Sequence, residues 1–161
     1  MMPLTRRRFI ALLSAVPALA HGTPAGASDT LNIVVTRDPN CGCCGSWVDH
    51  LRASGFTAKV VETGDVTPLK QKLGVPRDLY SCHTAEVGRY AIEGHVPASV
   101  IRRLLSEAPQ AQGLAVAGMP VGSPGMEVDG HPAEVYDVIL FGPNGRRVFA
   151  RFKGADEIKA R

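Results

Sequence analysis

The chain has only four cysteines and one tryptophan in 161 residues, and aromatics make up 6% of it. It has no internal repeat and no low-complexity tract. Its longest mainly apolar stretch, Phe9 to Ala20, is about twelve residues, too short to cross a bilayer of roughly 30 Å as a helix. It has no patch of Lys and Arg interleaved with aromatics, so no nucleic-acid surface is expected. Four cysteines in a chain this long are few for a disulfide scaffold. Paired Cys-x-x-Cys or Cys-x-x-His halves of a zinc finger are absent, and no iron–sulfur spacing occurs.

Acidic residues are missing from residues 1–27, which hold Arg6, Arg7 and Arg8 directly before the apolar stretch. Small residues follow, Ala18-Leu19-Ala20 and then Ala25-Gly26-Ala27, and cleavage after Ala20 or Ala27 fits an export signal. The string Thr5-Arg6-Arg7-Arg8-Phe9-Ile10 resembles a twin-arginine address. A retained anchor and a cytoplasmic basic helix are the competing readings. Removing the three arginines with the signal leaves 15 basic residues against 15 acidic ones. The remaining 28–161 is ~134 residues, one domain with an ordinary core. It should lie in the periplasm, with no stable membrane insertion once the signal is cut.

The cysteines that are present are not spread out. Cys41, Cys43 and Cys44 fall within four residues, and the fourth, Cys82, precedes His83. A disulfide between the adjacent Cys43 and Cys44 would strain the link between them. The least strained complete pairing joins Cys41 to Cys44 and Cys43 to Cys82. Thiolates gathered at one point suit a soft metal ion or thiol–disulfide exchange. Alone, Cys82-His83 is weak evidence, because a free cysteine is often a small buried apolar residue.

Leu31 to Thr36 reads as a buried strand, Ser46 to Ala53 as a helix with Trp47, Val48 and Leu51 inward, and Thr57 to Glu62 as a second strand. A short helix from Pro68 to Leu73, an extended Tyr90 to Glu93 and a helix from about Val96 to Glu107 follow. Pro109 to Gly130 is a long loop rich in Gly and Pro. Val135 to Phe141 and Arg146 to Phe152 form a hairpin around Pro143-Asn144-Gly145. The expected fold is α/β and thioredoxin-like, with a mixed sheet of four to five strands flanked by about three helices. Its cysteines sit between the first strand and the first helix, where backbone amides favour thiolates.

The only methionines beyond the start, Met119 and Met126, lie in the long loop. Off any helical or strand face, they read less as core filler, and thioether sulfur selects Cu(I). They pack over the site or ligate within it. His95 is a candidate imidazole ligand, His50 reads as a surface residue, and Trp47 as core.

With these residues in hand, the chain resembles a small bacterial family of predicted periplasmic metal-binding proteins linked to copper resistance. That family is often labelled CopG and was long described as a domain of unknown function. The matching strings are Cys41-Gly42-Cys43-Cys44 with Trp47, Gly74-Val75-Pro76, Ser81-Cys82-His83-Thr84-Ala85, Ile92-Glu93-Gly94-His95-Val96-Pro97-Ala98, and Gly118-Met119-Pro120 through Gly122-Ser123-Pro124-Gly125-Met126-Glu127. The resemblance implies copper binding through the cysteine cluster and a role in periplasmic copper homeostasis. It further suggests redox chemistry, Cu(I) to Cu(II), on a multinuclear thiolate-bridged centre. Thiolate favours Cu(I) and imidazole tolerates Cu(II), so a mixed site suits both states. Cys41, Cys43, Cys44 and Cys82 are the expected core metal ligands, with His83, His95, Met119 and Met126 secondary. Whether the chain is a copper oxidoreductase, and so an enzyme, stays open. Two other functions use the same residues: a thiol–disulfide oxidoreductase with Cys41 attacking and Cys44 resolving, and a non-redox Cu(I) metallochaperone. The expected partners are copper ions and a copper exporter or periplasmic copper chaperone.

Overall fold

A computed structural model of the chain describes residues 31–159. The export signal expected over 1–27 lies outside the described residues. The elements are β1 (Asn32–Arg37), α1 (Gly42–Ala53), β2 (Thr57–Glu62), α2 (Thr67–Lys72), β3 (Thr84–Val87), β4 (Tyr90–Glu93), α3 (Ala98–Glu107), β5 (Gly113–Ala115), β6 (Val135–Gly142), β7 (Gly145–Lys153) and β8 (Asp156–Ile158). All eight strands join one mixed sheet in the order β2-β1-β3-β4-β5-β6-β7-β8.

β1 and β2 run parallel, as their connection through α1 requires. β4 and β5 are also parallel, joined across α3, and every other neighbouring pair is antiparallel. Among the described residues the mixed α/β class and the three helices are therefore as expected, but the sheet has eight strands instead of four to five. The extra strands have physical reasons. β3 is four residues and β5 three, too short to show a period, and each becomes a strand because it pairs on both sides. β5 is cut from the segment expected as one long loop. β8 is an exposed Asp-Glu-Ile that gains its pairing only from the end of β7.

Alternation decides the two faces. In β4, Tyr90 and Ile92 enter the larger core while Ala91 enters the smaller one, so all four residues of the strand are buried. The larger core takes Trp47, Val48 and Leu51 from α1 and Val100, Ile101 and Leu104 from α3. The i, i+1, i+4 face expected for α1 is thus its buried face, joined by Cys44. Each such side chain contributes about 1.5–3 kcal/mol by leaving water. On the other face Val75 and Leu79, just after α2, pack with Ala91, Ala115 and Phe141. The hairpin of β6 and β7 turns at Pro143-Asn144 and carries a register shift at Val138/Ile139.

Candidate metal centre

β1 delivers the chain to the site and Arg37 anchors it there. The Arg37 guanidinium pairs with Glu62 at 2.9 Å and donates to the Cys41 carbonyl at 3.2 Å. Asp38 Oδ1 accepts the Asn40 N–H at 2.7 Å, and Cys41 N–H closes the turn on the Asp38 carbonyl at 3.1 Å. α1 begins at Gly42, earlier than the expected Ser46, because Cys41 caps it and Cys43 and Cys44 form its first turn. The cysteines therefore sit within the helix N-terminus itself, where unpaired amides and the dipole favour anionic sulfur.

Cys41 and Cys44 are joined by a disulfide, while Cys43 and Cys82 are free thiols. Cys43 Sγ lies 3.5 Å from Cys41 Sγ and 3.9 Å from Cys82 Sγ. One of the two bridges in the least strained pairing is thus present, and the other is a contact between free sulfurs. All four cysteines come together, although Cys82 is 38 positions along the chain from Cys44.

Two imidazoles complete the group. Cys82 Sγ is 3.3 Å from His83 Nδ1 and 3.2 Å from His95 Nε2. His95 Nδ1 lies 2.8 Å from the Pro124 carbonyl, which can only accept, so Nδ1 carries the proton and Nε2 presents its lone pair towards Cys82. A histidine held this way by a backbone carbonyl is oriented as metal-binding histidines are. His83 is fully buried, its ring 4.3 Å from the Trp47 ring and 4.9 Å from that of His95. Its Nε2 is buried without a hydrogen-bond partner, a costly condition for a polar atom. Burial lowers the pKa of both histidines; for His83 the neighbouring His95 and Lys70 lower it further. Both are therefore neutral, the form that ligates metal. Burial, and then the nearby Cys43, push the Cys82 thiol up to about 11. In the metal-free protein Cys82 is a thiol and a slow nucleophile.

The long loop closes one side. Gly125, at φ +83°, packs against α1 so tightly that a Cβ would lie 2.7 Å from Trp47 N and 2.9 Å from the Cys43 carbonyl. Met126 follows it, half-buried, whereas Met119 is 52% exposed at the loop's other end. The geometry therefore gathers Cys41, Cys43, Cys44, Cys82, His83 and His95, and leaves Met119 at the surface. At Gly42 and Gly45 a Cβ would meet nothing within 4 Å, so the cluster is open on that side.

His50 differs from its expected surface role. It is half-buried, and its Nε2 accepts the Ala98 N–H at 3.1 Å, capping the start of α3. Sequence reasoning also passed over Lys70, Thr84 and Glu93, which form a buried polar group behind Cys82 and His83. Their only sequence signal is adjacency: Thr84 follows His83, and Glu93 stands two residues before His95.

Four sulfurs whose atoms lie within 4.8 Å of one another, and two imidazoles that meet them at Cys82, place the chain in the class of mixed α/β proteins whose side chains could hold a soft metal ion. The comparisons with known proteins sharpen that class. A family described as "Protein of unknown function, DUF411" matches residues 79–126. A solved structure described as "Copper resistance protein copG- Form 2" is 43% identical, with 76% of this chain and 98% of that chain covered and a TM-score of 0.71. A second, "Copper resistance protein copG- Form 1", is also 43% identical, covering 78% and 99%, with a TM-score of 0.72. No curated protein matches. The chain belongs to the CopG copper-resistance family. Among the described residues no helix is long and apolar enough to cross a membrane.

Proposed function

We propose that this chain is an exported periplasmic protein that binds copper as its cargo, within a role in copper homeostasis and resistance. The observation that carries the reading is the convergence of Cys82, His83 and His95 on the Cys41–Cys44 turn. Nothing in the packing of a small α/β domain calls for four sulfurs and two neutral imidazoles in one place. The donor set fits copper: thiolate is soft, and imidazole accepts both oxidation states.

On this reading Cys43 and Cys82 are core ligands as free thiols, and Cys41 and Cys44 join them once their disulfide is reduced. His83 and His95 supply nitrogen, half-buried Met126 is a secondary ligand on the covering loop, and Met119, exposed on that loop, is a secondary candidate that would have to turn inward to ligate. The β1-α1-β2 unit, the antiparallel β3–β4 pair and α3 support a thioredoxin-like domain over 28–161, extended by β5 to β8. Copper bound there supplies one-electron interconversion of Cu(I) and Cu(II). The protein's own groups do the rest. The α1 N-terminus stabilises thiolate, the Pro124 carbonyl fixes the His95 tautomer, and the Gly125 loop excludes water from one side. The open side over Gly42 and Gly45 suits exchange of the ion with a copper exporter or a periplasmic copper chaperone.

One observation favours a second reading, thiol–disulfide exchange. Cys41 and Cys44 form a disulfide in a Cys-x-x-Cys spacing at a helix N-terminus. A single experiment separates the two. Protein from cells grown with copper is assayed for metal beside Cys43→Ser. Copper in the wild type and its loss in the variant support the copper reading. A metal-free wild type that, after reduction with dithiothreitol and removal of the reductant, reduces a disulfide substrate to two thiols while its Cys41 and Cys44 return to the disulfide supports the exchange reading and overturns the first.

A further inference from the structure

Behind the donor groups lies a buried charged network that sulfur and imidazole chemistry does not use. Lys70 is 4% exposed, and Thr84 and Glu93 are fully buried. Lys70 Nζ donates to Glu93 Oε1 at 2.6 Å and to Thr84 Oγ1 at 2.8 Å. The Ser81 N–H donates to Glu93 Oε1 at 2.6 Å, and the Thr84 hydroxyl donates to Glu93 Oε2 at 2.6 Å.

One carboxylate thus grips both ends of the tetrapeptide Ser81–Thr84, whose two middle residues are Cys82 and His83. The same carboxylate belongs to the strand that leads, through Gly94, to His95. The two segments touch at Gly94, whose N–H donates to the His83 carbonyl at 3.1 Å. A Cβ on Gly94, at φ +69°, would lie 2.6 Å from the Ser81 side chain and from the Val116 carbonyl. Glu93 therefore ties together the two backbone segments that present Cys82, His83 and His95.

Stability does not account for a buried ion pair here. Replacing such a pair with apolar groups of similar volume is often neutral or stabilising. What an apolar pair cannot do is hold the Ser81 N–H and the Thr84 hydroxyl. We propose that Glu93, with Thr84 and with Lys70 balancing its charge, is a positioning residue that sets Cys82, His83 and His95 in place to receive the metal ion. This rests on the copper reading of the site.

The test compares wild type, the double variant Lys70→Met/Glu93→Leu, the isosteric Lys70→Met/Glu93→Gln, and Cys43→Ser. The metal-free proteins are labelled with iodoacetamide, and the rates at Cys82 and Cys43 are resolved by peptide mass spectrometry. Cu(I) affinity is then measured by competition with a chromophoric chelator. Lys70→Met/Glu93→Leu should unfold cooperatively yet label Cys82 about tenfold faster, with Cys43 unchanged. Its Cu(I) affinity should fall by about 10–100-fold, as for other partners that orient metal-binding side chains. Lys70→Met/Glu93→Gln keeps an acceptor for Ser81 and a donor for Thr84, so it should recover most of both. A folded Lys70→Met/Glu93→Leu with wild-type labelling and affinity overturns the positioning role, even while Cys43→Ser loses copper. No Cu(I) bound by the wild type overturns the copper reading and this proposal with it. If the leucine variant does not fold, Thr84→Val decides: faster Cys82 labelling supports the role, and unchanged labelling overturns it.

Discussion

The two halves of the site are built on opposite plans. The Cys41–Cys44 turn is contiguous in sequence, partly exposed, and already changed in chemistry by a disulfide. The Cys82, His83 and His95 half is assembled from residues flanking β3 and β4, with both histidines fully buried and the His83 ring packed between those of Trp47 and His95. One half is held by local helix geometry and is open to solvent over its glycines. The other is held by tertiary packing and moves only if the sheet does. A site of this kind can gain and lose thiolates on its exposed side while its buried side keeps a fixed set of donors.

Removing the shared sulfur should break the comparison most completely. Cys82 alone touches both halves, so Cys82→Ser should abolish most Cu(I) binding by chelator competition and leave the fold intact by circular dichroism. Next comes the redox state of the exposed half. Reducing the Cys41–Cys44 disulfide frees two thiols, so the reduced metal-free protein should take up more Cu(I) than the oxidised one, measured by titration under anaerobic conditions. Equal capacity in both states would mean that Cys41 and Cys44 do not ligate.

Smaller effects test the frame. Gly125→Ala forces a Cβ against Trp47 N and the Cys43 carbonyl at a φ of +83°. It should cost about 2 kcal/mol or more of stability in urea denaturation, and the relief should come from the loop lifting off α1. The smallest effect concerns His50. Its pKa is lowered, by burial first, with Glu127 opposing. The unfolded state therefore binds the proton more readily. The stability contributed by neutral His50 is complete above about pH 6.5 and is lost as pH falls through the lower folded value. Protonation also removes the acceptor for Ala98 N–H. His50→Gln should flatten the acid limb of the stability curve by about 1 kcal/mol, the scale of a helix cap.

What was readable in the sequence follows the same division. The Cys41-Gly42-Cys43-Cys44 string, the strand before it and the apolar face of α1 are local patterns, and each appears where its spacing places it. Cys82, His83 and His95 were readable as chemistry, but their meeting depends on β3, a four-residue strand with no period to detect. Lys70 was not readable at all. In Thr67-Pro68-Leu69-Lys70-Gln71-Lys72 it looks no different from Lys72, yet Lys72 is exposed and Lys70 is sealed against Glu93. His50 was misjudged for a similar reason. Its partner is a backbone N–H 48 residues away, set by how α3 docks beside α1. The added strands came from pairing partners supplied by the rest of the sheet, which no short window contains.

The most direct test of the account is X-ray absorption at the copper edge of the reduced protein loaded with Cu(I). The nearest shell of atoms around copper should be dominated by sulfur, with an imidazole contribution that disappears when His83 and His95 are replaced together. A shell of nitrogen and oxygen alone, unchanged by those replacements, would contradict it.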